Sequence, residues 1–313
     1  MENNDITYAF PHVRSSLSVG NAMRMMILAL LPAAGFAVFH FGTRVLLHIL
    51  VCVVSCVLSE FTFEAFANLP LAALDFSSAA EGLMLALLLP VDAPLWAGAL
   101  GGVFATVVIK MILGVYLKIR LNAALAGYVL LLLAFPGFMR DYSFGEYGSA
   151  TLLGQYLNGE VVDPFPMITG FTNGGMGVTS AAAIALGAVI LLAAGVIRFR
   201  IPACACAAFA LTLTIAGGNG FDPAGLVIQT CGGGFLFIIW FMAVDYYSSP
   251  VTGRGQVLYA AAIGVLAAVL RIFAVEEAAV YAVLVCDLLV PLFEKITVPK
   301  PFGSKGGMKA ARL

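Results

Sequence analysis

The stretch LVIQTCGGGFLFIIWFMAV, residues 226–244, is apolar enough to enter a membrane but carries three consecutive glycines near its start. Glycine destabilises the interior of a helix, so the sequence CGGG at 231–234 predicts a break in this segment. Main-chain groups that are freed inside a bilayer are tolerated only within the protein or beside a water-filled cavity. The stretch therefore predicts a broken membrane segment with a cavity next to it.

The composition of the whole chain agrees with a membrane location. Of 313 residues, 62% are hydrophobic and 11% are charged, against roughly 45–50% apolar and about 25% charged residues in soluble domains. The formal net charge of -1 favours neither nucleic acid nor acidic substrates as partners. We expect an all-α polytopic protein that lies in the lipid bilayer and binds no nucleic acid.

Apolar runs divide the chain into ten segments, five in each half, of which the third and the eighth are short or broken. About 20 apolar residues make one crossing of the membrane. We expect a cytoplasmic segment 1–24, a first membrane repeat 25–135, an external loop 136–180, a second repeat 181–294 and a basic tail 295–313. The ten segments are Met25–Phe41, Val45–Phe66, Glu81–Leu89, Leu95–Leu113, Ala123–Phe135, Ala181–Ile197, Pro202–Ala216, Leu226–Val244, Val257–Phe273 and Ala278–Phe293.

The distribution of Lys and Arg predicts the orientation, because basic loops stay in the cytoplasm. Five basic residues follow the last segment, so the C-terminus should be cytoplasmic, and ten crossings then place the N-terminus on the same side. Loops 116–122, 198–200 and 246–256 also come out cytoplasmic. Loop 67–80 comes out cytoplasmic without a basic residue, which leaves open whether the third segment spans the membrane or is re-entrant.

The two halves also resemble each other, and an odd number of segments in each half gives them opposite orientations, as in an inverted repeat. Lys110 stands twenty residues after Pro90, and Arg271 stands twenty-one residues after Pro250. Each fifth segment then carries a tyrosine, of which Tyr128 is the first. Broken helices at matching places of inverted halves frame a site near the membrane centre, so we expect function around the third and eighth segments.

Ionisable and polar residues near these two segments are the candidates for an ion site or cavity. Charged side chains inside a membrane usually face a partner or water. Lys110 either faces a partner or water inside the membrane or extends its ammonium to the lipid headgroups. Asp245 either faces the cavity or belongs to a loop at the membrane interface. The other candidates are Glu81, Pro90, Asp92, Asn122, Tyr128, Asp222, residues 232–234 and Pro250.

The sequence contains no recognisable catalytic or metal motif. Cys52 and Cys56 share a helical face, but two thiols do not complete a tetrahedral metal site, and we interpret all six cysteines as small apolar fillers. His12, His40 and His48 have no ligand spacing, and no Ser-His-Asp, P-loop or dinucleotide pattern is present. We expect neither a metal ion nor catalytic residues of a hydrolase.

Five stretches together cover most of the chain and carry a family resemblance. They are FPHVRSSLSVGNAMRMMILALLPA, GLMLALLLPVDAPLWAGALGGVFATVVIKMILG, LAGYVLLLLAFP, FMAVDYYSSPVTGRGQVLYAAAIGVLAAVLRIF and AVYAVLVCDLLVPLFE. The most specific part is VDYYSSPVTGRGQ at 244–256, because it is polar, long and uncommon in other membrane families. With these residues the chain resembles the D-type membrane subunits of Rnf (Rsx) ion-translocating electron transport complexes, which are related to the B-type subunits of the sodium-pumping NADH:quinone oxidoreductase.

This resemblance implies ten helical segments in two inverted halves and a role in passing electrons between flavins while Na⁺ or H⁺ crosses the membrane. It also implies the other subunits of such a complex as partners, and a place in the cytoplasmic (inner) membrane of a bacterium or archaeon. One departure from the family is LKIRLNAALAGY, where relatives usually show a NPFNPA turn before GY. Asn122 is kept there, but both prolines are missing.

The resemblance further implies an FMN joined through its phosphate to a threonine, in a pattern D-G-[IV]-[ST]-x-A-T-P on the outer side. Residues 176–183 align with this pattern, but Met176 replaces the acidic residue and Ala182 replaces the acceptor threonine. Alanine has no oxygen for a phosphoester, so FMN would require the nearby hydroxyls of Thr179 or Ser180 or a noncovalent site. Alternatively, residues 176–183 have no flavin role and serve only to start the next helix.

Two other functions remain open at this point. A small-solute channel or transporter on the same inverted-repeat fold would explain the glycine-rich broken helix and the missing acceptor. The second open function is that of a structural membrane subunit, which has no redox centre of its own and holds its partner subunits in their correct positions.

Overall fold

The computed structural model describes residues 19–68, 75–142, 150–217 and 222–298, and these residues form helices and their connections, without a strand. Predictions for the N-terminal segment before Val19 and for most of the basic tail lie outside the described residues. In the first half the helices are α1 (Val19–Phe41), α2 (Arg44–Ala67), α3 (Ser77–Leu88), α4 (Leu95–Tyr116) and α5 (Ala123–Ala134).

The second half begins after three short helices, Pro136–Met139, Leu152–Leu157 and Phe165–Thr169. Its helices are α6 (Ala181–Ala193), α7 (Arg200–Ala216), α8a (Pro223–Cys231), α8b (Phe235–Met242), α9 (Gly253–Ile272), α10 (Ala278–Leu288) and α11 (Val290–Thr297).

Within the described ranges, four helices are long and apolar enough to cross a membrane: α1, α2, α4 and α9. The pair α8a and α8b adds a fifth candidate, which is bent by 61° at its break. Five shorter apolar helices of 10–17 residues, α3, α5, α6, α7 and α10, accompany them. The expectation of an all-α protein with several membrane helices is confirmed at this level.

The helix boundaries differ from the sequence-based segments mainly at their ends. Helix α1 starts at Val19 rather than at Met25, and α3 starts at Ser77 rather than at Glu81. The last segment is divided, because α10 ends at Leu288 and α11 starts at Val290 with Pro291 in its first turn. Proline lacks the N–H that a continuous helix would need at that point.

The predicted break in the eighth segment is present and depends on glycine. Gly233 and Gly234 have φ angles of +60° and +68°, a region that residues with a Cβ rarely adopt. A Cβ on Gly233 would also collide with the Glu276 carbonyl oxygen and with the Arg271 guanidinium. The helix therefore stops at Cys231 and restarts at Phe235 in a new direction.

Helix α3 is short and packs against the long helices α1, α2 and α4. Nine of the 12 residues of α3 are buried, and α2 packs against both α3 and α4. In the second half α7 packs along α9, while α1 contacts α6 and α5 contacts α10 across the two halves. Close helix approach depends on small residues, since a Cβ on Gly98 would lie 2.8 Å from the Cys52 sulfur.

Candidate functional site

Lys110 is the centre of a buried polar group at the start of α3, which we call the Lys110 cluster. Its Nζ lies 2.8 Å from Glu60 Oε1 and 3.6 Å from Glu81 Oε1. The ammonium also donates to the hydroxyls of Ser77 at 2.6 Å and Ser78 at 2.8 Å. Lys110 thus finds partners inside the protein instead of extending to the surface.

Three helices place these side chains together. Glu60 comes from α2, Glu81 comes from the first turns of α3, and Lys110 comes from the π-helical part of α4 at Phe104–Tyr116. Local π-helical turns often occur at functional sites. Ser78 donates to Glu60, which ties α3 to α2.

The charges in this cluster do not balance. Two carboxylates, Glu60 and Glu81, face one ammonium, which leaves a formal charge of one negative unit when all three are ionised. The Glu60 side chain is only 1% exposed, and Glu81 Oε2 is buried without a hydrogen-bond partner among the described residues. Because isolated buried charge is costly, this arrangement favours an additional cation or proton.

Asp245 lies in the connection between α8b and α9, within electrostatic reach of Lys110 and Glu81. Its carboxylate accepts a hydrogen bond from the Tyr247 N–H at 3.4 Å. Burial raises the pKa of Asp245 to about 6. Asp245 also lines a groove between α1 and the residues that follow α6, beside Met23 and Ile197.

Asn122 does not join the Lys110 cluster but connects the two halves. Its side-chain oxygen caps α5 by accepting from the Leu125 N–H, and its Nδ2 donates to the Met242 carbonyl oxygen. The Asn122 N–H donates to Asp287 Oδ2 at 3.0 Å, and the Tyr259 hydroxyl donates to Asp287 Oδ1 at 2.6 Å. A carboxylate of α10 thus stabilises the start of α5.

Thr179 and Tyr128 line a separate cavity of about 60 Å³ at the far end of α3, which we call the Thr179 cavity. The 12 residues of α3 separate it from the Lys110 cluster by about 18 Å. Thr179 is 5% exposed, and its hydroxyl is buried without a partner among the described residues. The cavity has room for a few water molecules or one small ion.

The walls of the Thr179 cavity are polar. Tyr128 and Tyr142 both line the cavity, and burial raises the pKa of Tyr142 above its usual value. Glu276 and Glu277 also line this cavity, and burial raises the pKa of Glu277 as well. Thr151 donates to Glu276 Oε2 at 2.7 Å.

The loop at residues 173–180 has a clear structural role. The N–H of Met176 donates to the Leu89 carbonyl oxygen, and the N–H of Gly177 donates to that of Leu87, so the loop satisfies main-chain carbonyls that the end of α3 leaves free. Ser180 caps α6 by accepting from the Ala183 N–H. The segment closes α3 and starts α6.

These residues do not fit a phosphoester-linked FMN. Thr179 is 5% exposed and its hydroxyl is buried, so a phosphate cannot reach this oxygen from the surface in this structure. Ser180 is 4% exposed, and its hydroxyl is engaged, since it donates to the Thr169 carbonyl oxygen at 3.0 Å. Ala182 is exposed but offers only a methyl group.

Arg271 occupies the break in the eighth segment. Its guanidinium donates to the Glu276 carbonyl oxygen at 2.8 Å and to the Gly232 carbonyl oxygen at 3.2 Å. The side chain is almost fully buried, with 1% exposure. Lys110 and Arg271 stand at matching sequence positions. Lys110 binds the start of α3, and Arg271 binds the break between α8a and α8b.

The structure therefore divides the predicted residues between two places. Lys110 and Asp245 lie toward one end of α3, whereas Thr179 and Tyr128 share the cavity at the other end. Sequence reasoning missed Glu60 and Asp287. A carboxylate that interrupts an apolar helical run was the signal that would have identified both.

Known proteins are similar to this chain over almost its whole length. Residues 6–303 match the sequence model of the NQR2, RnfD, RnfE family. The chain is 32% identical over 303 residues to the D subunit of the Na(+)-translocating ferredoxin:NAD(+) oxidoreductase complex of Acetobacterium woodii, with 94% of this chain and 93% of the relative covered.

Two further relatives are similar over comparable lengths. The D subunit of the proton-translocating ferredoxin:NAD(+) oxidoreductase complex of Clostridium ljungdahlii is 30% identical over 314 residues, covering 94% of this chain and 95% of the relative. The D subunit of the ion-translocating oxidoreductase complex of Escherichia fergusonii is 27% identical over 346 residues, covering 95% and 98%. Because the family model and these relatives extend over nearly the whole sequence, the chain belongs to the NQR2, RnfD and RnfE family.

Proposed function

We propose that this chain is the D subunit of an Rnf-type complex and works with its other subunits to couple electron transfer to the movement of Na⁺ or H⁺ across the bacterial or archaeal cytoplasmic membrane. The relatives that are named as D subunits of Na⁺- and proton-translocating complexes support this role. The observation that carries it is the Lys110 cluster, in which two carboxylates face one buried ammonium.

The Lys110 cluster serves as the ion site in this proposal. A proton or Na⁺ held by Glu60 and Glu81 would neutralise the excess negative charge beside Lys110, and oxygen atoms are the ligands that hard cations prefer. Asp245 lies within electrostatic reach of the cluster, in the loop after α8b, and would draw cations toward it. The relatives differ in the ion that their names give, so both ions enter the test.

The experiment compares the purified complex in liposomes with and without an electron donor. Wild-type complex should accumulate Na⁺ or H⁺ only when electrons flow, and Glu81→Gln should reduce this driven uptake at unchanged subunit content. Glu160→Gln is the matched control, since Glu160 is exposed in the loop before α6. Driven uptake that is equal in both variants would contradict the proposed ion site.

In this proposal ten membrane segments form two inverted halves with both termini in the cytoplasm. Matching contacts support the repeat, because α2 packs on α4 as α7 packs on α9, and α1 and α5 meet their counterparts α6 and α10. Lys110 and Arg271, at matching sequence positions, also each bind the short or broken segment of their own half. Reporter fusions at Asn158 and at the C-terminus test the orientation, and a cytoplasmic signal at Asn158 would refute it.

The chain performs this role without FMN linked to residues 176–183. The buried Thr179, the engaged Ser180 hydroxyl and the methyl group of Ala182 support this view. A phosphoester-linked FMN fluoresces in a denaturing gel, so the wild-type band should be dark when the chain is made beside its flavin-attaching enzyme. Ala182→Thr should allow fluorescence because this position is exposed, whereas Met176→Asp alone should not.

The same gel distinguishes the other flavin arrangements. A bright wild-type band that is lost in Thr179→Ala would make Thr179 the acceptor and refute the proposal. If this chain gives a dark band but the purified complex releases flavin on denaturation, the complex holds noncovalent flavin. A control complex that lacks this chain then shows whether that flavin is bound by this chain or by its partners.

A solute channel is the second candidate, and the small polar Thr179 cavity beside the glycine-rich break favours it. Uptake of a small solute by liposomes that contain the chain alone, without its partner subunits or an electron donor, would support the channel over the electron-coupled role. Absence of both solute flux and driven ion uptake would leave a structural role in the membrane.

A further inference from the structure

Asp287, near the end of α10, is a buried carboxyl group without a cation beside it. Its residue is only 1% exposed. The Tyr259 hydroxyl donates to Oδ1 at 2.6 Å, and the Asn122 N–H donates to Oδ2 at 3.0 Å. Among the described residues no Lys, Arg or His lies within ion-pair distance of this carboxyl group. Two neutral donors are therefore its hydrogen-bond partners, and a buried charge that is stabilised only in this way is costly.

The partners of Asp287 fit a proton better than a metal ion. A hydrogen atom of Tyr259 or Asn122 points at each carboxyl oxygen, and these hydrogens would repel a metal cation at the same oxygens. A tyrosine hydroxyl both donates and accepts, so Tyr259 can donate to ionised Asp287 and accept from protonated Asp287. The Asn122 N–H keeps an acceptor in both states. The site therefore accommodates a proton without a change in the positions of its heavy atoms.

A further acceptor lies one helical turn from Tyr259. Gln256 Oε1 is buried without a hydrogen-bond partner among the described residues, and side chains three residues apart on a helix are neighbours. When Tyr259 accepts from protonated Asp287, its own hydrogen is free to turn toward this side of α9. Gln256 Nε2 donates to the Pro250 carbonyl oxygen, so the amide faces the connection before α9. This connection is expected on the cytoplasmic side.

Asp245 links Asp287 electrostatically to the Lys110 cluster. Asp245 lies within electrostatic reach of Asp287 and also of Lys110 and Glu81. Like charges disfavour each other's ionised form. A negative charge on Asp245 therefore favours a proton on Asp287, and a cation near Asp245 opposes it.

The other groups around Asp287 do not offset this effect. The titratable groups that interact with Asp287 are Tyr259 of α9, Cys286 of α10 and Asp245, and none of the three is a cation. The Asn122 side chain also holds the end of α8b in place, since its Nδ2 donates to the Met242 carbonyl oxygen. The carboxyl groups of Asp245 and Asp287 are thus kept near each other at the contact between the two halves.

We propose that Asp287 is a proton-binding site of this subunit, which takes up a proton while Asp245 is ionised and releases it when a cation approaches Asp245 on its way to the Lys110 cluster. The inference rests on the proposed function, because that function brings the cation past Asp245. The step joins one proton to one carboxylate oxygen, and no electron is moved.

The test follows the carbonyl stretching band of protonated carboxyl groups in the purified complex by infrared difference spectroscopy between acidic and alkaline pH. Other carboxyl groups contribute to this band, so the Asp287 signal is the part that Asp287→Asn removes. Asparagine has the same shape, can accept from the Asn122 N–H and can donate to Tyr259, so the fold should be kept. Asp163→Asn makes the same change at an exposed residue and should leave this signal intact. Identical spectra of wild type and Asp287→Asn would overturn the proton site.

Two variants of the neighbours leave Asp287 in place. Tyr259→Phe removes a hydrogen bond to the ionised form and should raise the pH at which the Asp287 signal is half lost by about one unit. Asp245→Asn removes the neighbouring negative charge, as an approaching cation would offset it, and should lower that pH. A half-loss pH that does not fall in Asp245→Asn would overturn the link to the Lys110 cluster.

The outcomes separate this inference from the proposed function. A wild-type complex that shows the Asp287 signal and its shifts but no electron-driven ion uptake would refute the proposed function and support the proton site. A complex with intact driven uptake but without a signal that depends on Asp287 would refute the inference alone.

Discussion

Replacing Lys110 with methionine tests whether the Lys110 cluster is held together by its charge. The change removes an ammonium that contacts Glu60 at 2.8 Å and Glu81 at 3.6 Å and that donates to Ser77 and Ser78. The Glu60 and Lys110 side chains are only 1% and 16% exposed, so little water can replace the lost partner. Breaking a buried ion pair from one side costs about 3–5 kcal/mol.

We therefore expect Lys110→Met to destabilise the chain by about 3–5 kcal/mol and to abolish driven ion uptake. The exposed Lys118 provides the matched control, because Lys118→Met makes the same chemical change outside the cluster. Thermal unfolding of the purified complex, followed at fixed detergent and protein concentration, measures the difference in stability.

A double substitution separates charge from packing. Adding Glu81→Gln to Lys110→Met removes one of the two uncompensated carboxylates and should recover part of the lost stability, since contacting residues are energetically coupled. Driven uptake should remain absent in the double variant. A Lys110→Met protein as stable as Lys118→Met, or no recovery in the double variant, would refute the view that charge compensation holds the cluster.

Three further predictions follow from other contacts. Tyr259→Phe should cost about 1.5–3 kcal/mol through loss of the buried hydrogen bond to Asp287, whereas Tyr116→Phe at an exposed tyrosine should be neutral in the same unfolding assay. Gly233→Ala should destabilise by more than about 1 kcal/mol because of its positive φ and the collision with the Glu276 carbonyl, while Gly35→Ala, which meets nothing within 4 Å, should not. Asp245 has its pKa raised from 3.8 to about 6, so its ionisation opposes folding, and stability should fall as pH rises through this interval. Asp245→Asn should show a smaller fall in unfolding temperature between these pH values, and an unchanged pH profile would contradict the assignment.

Much of the helical framework is predictable because its causes are local. Apolar runs fix which residues enter the bilayer, and the three glycines at 232–234 interrupt the helix wherever it is placed. The end of α3 is also visible in the sequence, since Pro90 cannot continue a helix. The exact boundaries are less predictable, because the start of α3 at Ser77 depends on partners from α2 and α4.

The loop at 173–180 shows where family resemblance alone is insufficient. Its sequence suggested a flavin-attachment frame without the acceptor, and its purpose could not be read from the residue types. Only the folded chain brings the Met176 and Gly177 N–H groups to the carbonyl oxygens of Leu89 and Leu87. Two residues of the frame have a specific role in the fold, because a Cβ on Gly177 would collide with the Leu87 side chain and Ser180 caps α6.

The sequence by itself determined an all-helical membrane protein, the broken eighth segment and the matching basic residues Lys110 and Arg271, because hydrophobicity, helix propensity and spacing along the chain are properties of short stretches. The tertiary structure alone decided that Lys110 meets Glu60 and Glu81 whereas Arg271 meets only carbonyl oxygens. It also joined Asn122 to Asp287 across 165 residues. These pairings depend on how distant helices pack, and the energy of a buried charge is set by the neighbours that packing supplies.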